Sequence, residues 1–247
     1  MRILQLGNGG GLDPQMTNSS FLIEYKNNDE IEYLLFDCGF NIMARLLELK
    51  INISKIKYVF ISHIHDDHVG NLETLIFWNY FKNNVCTKIL GSADNSEVYK
   101  YIESKHNSIL SGSQVVNKKI FNYNVIHDFK YISDDIRVYP IIGYHGSNQS
   151  NGLIIKDIEN DEYIFISGDT KASESIQEKV ETIIPFDGEY ISFKLFHDFS
   201  LWNAPSENVH ACENDINVEY SEEFKNSLNY YHTGLDNFNK DWQEITV

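Results

Sequence analysis

At 247 residues the chain is long enough to bury a substantial core, and 42% hydrophobic with 23% charged residues is ordinary for a globular protein. A net charge of −16, from 20 basic against 36 acidic residues, disfavours long nucleic acids, which proteins hold mainly through Lys and Arg at the phosphates. No apolar run approaches the ~18 residues that span a bilayer, and Met1–Gly7 runs too soon into glycines for a signal peptide, so a cytoplasmic protein with no membrane partner is expected.

In chain order, Arg2–Leu6 alternates like a strand and enters Gly7-Asn8-Gly9-Gly10-Gly11. That loop either brings backbone amides to an anion or is a tight strand-to-strand excursion. Phe21–Tyr25 and Ile31–Phe36 read as strands around a polar turn, an early antiparallel meander closed by Asp37-Cys38-Gly39. Asn41–Leu49 is an amphipathic helix, Ile56–Ile61 a β-branched and aromatic strand, and Gly70–Phe81 has apolar residues at helical spacing. Lys88–Gly91 reads as a strand, Ser96–Ser104 as a helix, and the polar stretch 105–119 as an exposed loop or insertion. Strands over Ile136–Tyr144, Asn151–Ile155 and Tyr163–Ile166 precede a helix over Ala172–Val180. A strand over Tyr190–Phe196, a loop, and a strand ending at Tyr230-Tyr231-His232 complete the body. Two successive β-rich halves, each with helices, imply an α/β (α+β) sandwich of two mixed sheets with helices outside, as one domain over 1–247. Cys38, Cys86 and Cys212 form no CxxC pair, which argues against a disulfide framework and a thiolate metal site.

The densest chemistry is Ser62-His63-Ile64-His65-Asp66-Asp67-His68-Val69-Gly70. In extended chain, residues i and i+2 share a face, so His63 and His65 can converge on one ion. Asp67 and His68 follow where the chain turns toward a helix and can aim at a second point close by. Imidazoles with a carboxylate suit zinc or a neighbouring first-row metal. A lone histidine is usually solvated, but three with an aspartate directly after a buried strand are a strong signal. His145, Asp169 and His232 each follow an apolar strand and lie within two residues of a glycine. Each alone reads equally as a turn cap or loop residue. Together with the first motif they make seven ligands, enough for two metals.

The HxHxDH pattern over His63–His68, then His145, Asp169 within Ser-Gly-Asp-Thr, and His232, resembles the metallo-β-lactamase-fold hydrolases along essentially the whole chain. That resemblance implies a four-layer αββα sandwich. Having both Asp67 and His68 is similar to the dinuclear phosphodiesterase branch, and Phe196-His197-Asp198-Phe199-Ser200, Asn208-Val209-His210-Ala211 and His232 are similar to its RNase Z-like members. Nothing matches the Gly/Pro-rich basic arm of the tRNA-maturing enzymes. A compact RNase Z-like chain without that arm resembles the phage anti-Pycsar nucleases, which degrade cyclic mononucleotide signals of bacterial defence.

The resemblance implies two Zn²⁺, with Mn²⁺ or Fe²⁺ as substitutes: one held by His63, His65 and His145, the other by Asp67, His68 and His232, with Asp169 bridging. It further implies His210 as the proton donor to the leaving alkoxide, oriented by Asp198, with Asp67 essential for catalysis. A small cyclic nucleotide is the expected substrate and a homodimer the expected assembly, in the host cytoplasm if the chain is phage-encoded. Three other readings use the same ligands or the same site: a lactone or thioester hydrolase of this fold, an RNase Z-like RNA 3′-end endonuclease, and a nucleotide scavenger without turnover. His106, His127 and His197 have no place in the seven-ligand scheme.

Overall fold

A computed structural model describes residues 1–13, 15–109, 120–186, 191–201, 209–235 and 239–245. Strands β1 (Arg2–Gly7), β2 (Ser20–Asn27) and β3 (Glu30–Phe36) form the expected meander, followed by helix α1 (Ile42–Glu48) and strand β4 (Ile56–Phe60). A four-residue turn α2 (Asp66–Val69) follows, and the helix expected over Gly70–Phe81 is divided into helix α3 (Leu72–Phe77) and a π-helical turn at Trp78–Lys82. Next come β5 (Thr87–Ser92), α4 (Ser96–Ile109), β6 (Phe121–Ile126) and the short β7 (Lys130–Tyr131). The second half comprises β8 (Ile136–His145), β9 (Asn148–Asp157), β10 (Glu162–Ile166), α5 (Glu174–Ile183), β11 (Ser192–Asp198), α6 (Glu213–Glu219), α7 (Glu222–Asn226), β12 (Leu228–Tyr231) and β13 (Gln243–Glu244).

One sheet runs β13-β1-β2-β3-β4-β5-β6, antiparallel through β3 and parallel from β3 onward. The other runs β12-β11-β10-β9-β8-β7, parallel over its first three strands and antiparallel over the rest. Both sheets are therefore mixed, as expected.

Three apolar clusters separate four layers. Between the sheets lie Phe21, Ile23, Leu34, Phe36 and Phe60 against Leu153, Ile155, Ile164, Ile166 and Phe196. Outside the first sheet, Leu22, Leu35, Val59 and Ile89 pack on Ile42, Leu46, Leu72, Leu75, Val98 and Ile102 of the helices. Outside the second, Ile154, Phe165 and Leu195 pack on Ile176, Val180, Ile216 and Phe224. Consecutive residues such as Ile154/Ile155 and Phe165/Ile166 thus face opposite layers, as a strand's period of two requires. Strands covered on both faces must be apolar at every position, which is why they appear in the sequence as unbroken runs.

Three further expectations are corrected. Helix α4 continues through Ile109, so the polar stretch expected from 105 begins inside a helix, and 110–119 lie outside the described residues. The loop expected between the last two strands of the second sheet contains α6 and α7, too short to show a helical repeat. Strand β11 begins at Ser192 rather than 190, and residues 187–190 lie outside the described set. Cys38 and Cys212 are buried thiols, while Cys86 is half-buried and accepts from Asn122 Nδ2.

Candidate metal centre

All the strand-end residues converge at one edge of the sandwich. The stretch after β4 leaves the sheet extended (His65 φ −67°, ψ 149°) and then coils into α2. Extension places His63 and His65 side by side, and the turn swings Asp67 and His68 to the neighbouring position. His145 is the last residue of β8, Asp169 follows β10, and His232 follows β12.

His63 Nε2 lies 2.9 Å from His65 Nδ1, which lies 3.3 Å from His145 Nε2, so three ring nitrogens face one point. Beside them, His68 Nε2 is 3.2 Å from Asp169 Oδ2 and 3.4 Å from Asp67 Oδ2, and His232 Nδ1 is 3.2 Å from Asp169 Oδ1. These are the two groupings expected from the sequence, with Asp169 in the second and its carboxylate reaching both His68 and His232. A third grouping joins Asp169 and His232 to Asp198 and His210.

The residues fit a cation. His68 Nε2, His232 Nε2 and Asp169 Oδ1 are buried with no hydrogen-bond partner, a costly condition that a bound cation relieves. Electrostatics agree. Burial alone would lower His68 and His232, but the Asp169 charge, with Asp37 at His68 and Asp198 and Asp67 at His232, holds both imidazoles well above their usual range. Burial would raise Asp67 and Asp169, yet their interaction with these imidazoles keeps both carboxyls low. His63 and His145 are instead pushed down by burial and stay neutral, the form that can ligate.

His210 Nδ1 is 2.7 Å from Asp198 Oδ2, while Asp198 Oδ1 is 3.3 Å from His232 Nδ1. Asp198 is buried, and its Oδ2 also accepts from Thr170 N (2.9 Å). Burial opposes a charged His210, but the Asp198 carboxylate outweighs it and raises the imidazole above its ordinary value.

Several supporting residues escaped the sequence reading. Asp37, buried at the end of β3 with φ 60°, holds His68 Nδ1 at 2.7 Å and accepts from Ser62 N (2.8 Å) and Ser62 Oγ (2.7 Å). A carboxylate directly after a buried strand was the available signal, the same one that marks Asp169. Asn8, in the glycine loop, accepts from His232 N (2.7 Å) and secures that histidine in a left-handed conformation, φ 64°. A Cβ on Gly10 would sit 2.7 Å from His232 Nε2, and one on Gly39 only 1.9 Å from the Asp67 carbonyl oxygen. The glycines therefore let backbone pack against the ligands. His197 is buried between Tyr220 Oη (2.7 Å) and the Asp198 carbonyl (2.8 Å), His127 is exposed, and the His106 side chain lies outside the described residues.

The site opens into a cleft of about 790 Å³ lined by Gly10, Gly11, His65, His145, His210 and His232, with Leu12, Leu201 and Leu235 toward its mouth. Among the described residues that line it there is no Lys or Arg.

Fold and site together define a metallo-β-lactamase-fold, metal-dependent hydrolase. The structure superposes on the metallo-β-lactamase-fold protein YhfI from Bacillus subtilis with a TM-score of 0.68 and 16% identity, covering 94% of this chain and 86% of that one. The chain belongs to the family of the anti-Pycsar protein Apyc1, whose model matches residues 1–245. It is 24% identical to the anti-Pycsar protein Apyc1 of Bacillus phage 010DV004, over 95% of this chain and 89% of the relative. It is 31% identical to the ribonuclease Z of Listeria welshimeri over 49% of this chain, spanning only 39% of that enzyme's length.

Proposed function

We propose that this protein is a dinuclear-zinc phosphodiesterase that opens 3′,5′-cyclic mononucleotides to linear monophosphates and so destroys an antiphage signal, acting as a homodimer. The observation that carries the reading is the Asp198–His210 pair set against the ligand cluster, with Nδ1 to Oδ2 at 2.7 Å. In this reading His63, His65 and His145 hold one metal, Asp67, His68 and His232 the other, and Asp169 lies between them. When bound, the ions supply Lewis-acid charge for a phosphoryl group and acidify a water.

The chain's own residues do the rest. Expelling an alkoxide requires a proton, because its conjugate acid has a pKa far above neutrality. With Nδ1 committed to Asp198, His210 Nε2 is the nitrogen that can deliver that proton into the cleft. Asp198 orients the ring and, by raising its pKa, favours its charged form. A cleft of about 790 Å³ is of a size that holds a small molecule. The lack of Lys or Arg among its described lining residues, in a chain of net charge −16, weighs against a polyanionic RNA.

The test is to incubate metal-loaded protein with a panel of 3′,5′-cyclic mononucleotides and separate the products. Linear monophosphate formed by the wild type and lost in Asp67→Ala is expected. No conversion across the panel, with cleavage of a precursor tRNA or of a lactone or thioester instead, would overturn the assignment.

A further inference from the structure

The outward nitrogens of the histidine trio reveal a further positioning residue. His63 and His145 face the shared point with Nε2, and their Nδ1 atoms meet oxygens: Ser62 Oγ at 3.1 Å and the Val209 carbonyl at 3.3 Å. Ser62 Oγ donates to Asp37 Oδ2, so it meets His63 Nδ1 as an acceptor. His65 is reversed. Its Nδ1 faces the shared point and its Nε2 turns outward, where Asn148 Nδ2 lies 2.9 Å away.

Asn148 is placed there by the β8–β9 hairpin. His145 pairs with Asn148 across a two-residue turn, Gly146-Ser147, with Gly146 at φ 64°. This tight hairpin therefore delivers one candidate ligand and, from the facing strand, a contact to another. His65 is the exposed member of the trio, so it has the fewest other restraints.

We propose that Asn148 is the positioning residue for His65, presenting its amide oxygen to Nε2–H and thereby selecting the tautomer that leaves Nδ1 to the metal. This rests on the metal-centre reading above. A cation among the three nitrogens requires a lone pair on Nδ1, which puts the ring proton on Nε2 and calls for an acceptor. A half-turn of the amide exchanges Oδ1 and Nδ2 without moving their positions, so the contact persists with the acceptor in place. Both neighbouring histidines already pair their outward nitrogen with an oxygen.

The test is a competition titration of zinc against a chromophoric chelator for wild type, Asn148→Ala and Asn148→Asp, with Tm as the folding control. Loss of an outward partner of this kind typically costs about 10- to 100-fold in metal affinity, so Asn148→Ala should weaken one of two equivalents by at least about tenfold. Asn148→Asp, which keeps an oxygen at that position, should restore it. Equal affinity in all three proteins, or equal loss in both variants at unchanged Tm, would overturn the role of Asn148 while leaving the metal centre standing. A wild type that binds no zinc in the same titration would overturn the metal reading, and this role with it.

Discussion

Asp198 sits between two histidines, and each of its oxygens has a distinct task. Oδ2 holds His210 and Oδ1 approaches His232, so one buried carboxylate links the proposed proton donor to the ligand cluster. His210 is expected to act only while protonated. Its raised pKa means the active form is complete at low pH and is lost as pH rises through that value. Removing the carboxylate lowers the pKa, so Asp198→Asn should move the alkaline limb of the pH–rate profile toward lower pH. His210→Ala should lower turnover by about 10²- to 10⁴-fold, the usual contribution of a general acid, with zinc content unchanged. An unaltered alkaline limb in Asp198→Asn with full zinc content would exclude this pairing as the source of the acid. Two residues near the cluster hold left-handed backbone, Asp37 at φ 60° and His232 at φ 64°. Such geometry costs roughly 1–2 kcal/mol for a residue with a Cβ. Both are secured by short contacts, Asp37 through Ser62 and His68, and His232 through Asn8.

Elements rather than single residues set the spacing of the site. β4, β8, β10 and β12 end at the same edge of the sandwich, and each releases a candidate ligand within a few residues. The junction between β3 and α1 has the least tolerance. Gly39 passes so close to the Asp67 carbonyl that an added methyl has no room, so Gly39→Ala should displace the His65–His68 turn and abolish tight metal binding. Retention of wild-type affinity in a metal titration would refute that account. Phe165 is fully buried on the helix-facing side of β10, next to the strand end that releases Asp169. Phe165→Ala should cost about 3–5 kcal/mol, read as a lower denaturation midpoint at an unchanged slope.

For the whole molecule, the cluster couples folding to pH and to metal. Because His68 and His232 have raised pKa values, their protonated forms stabilise the chelated protein fully below the unfolded imidazole pKa of about 6.5. That contribution is lost as pH rises through the folded values. The depressed Asp67, Asp169 and Asp198 carboxyls act oppositely, contributing above the unfolded value of about 3.9 and losing their effect as pH falls. Chelated protein should therefore melt at a lower temperature as pH is raised from 6 to 9. Metal-loaded protein, with cations in place of those protons, should hold its Tm across about the same range. Calorimetry of both forms in parallel checks this, and a gap that does not widen with pH would contradict it. No helix among the described residues is long and apolar enough to cross a membrane.

The grouping of the candidate ligands was legible in the sequence for a local reason. His63, His65, Asp67 and His68 are contiguous, and the period of a strand alone assigns the first pair to one face and the next pair beyond it. His145, Asp169 and His232 could be read because each ends an apolar run. The layers were legible too, since strands covered on both sides must be apolar throughout. What the sequence left undecided concerns contacts between segments far apart in the chain. Asp37 meets His68 across 31 residues, Asn148 meets His65 across 83, and Asn8 meets His232 across 224. Asn8 and Asn148 are common polar residues beside strand ends, with nothing local to separate them from solvated ones, and Asp37 carries only the mark of a carboxylate after a buried strand. Pairing of β3 beside β4 brings Asp37 to His68, and the face-to-face packing of the two sheets brings Asn148 and Asn8 to their histidines, because hydrogen-bond partners are chosen by distance in space and local sequence has no record of it.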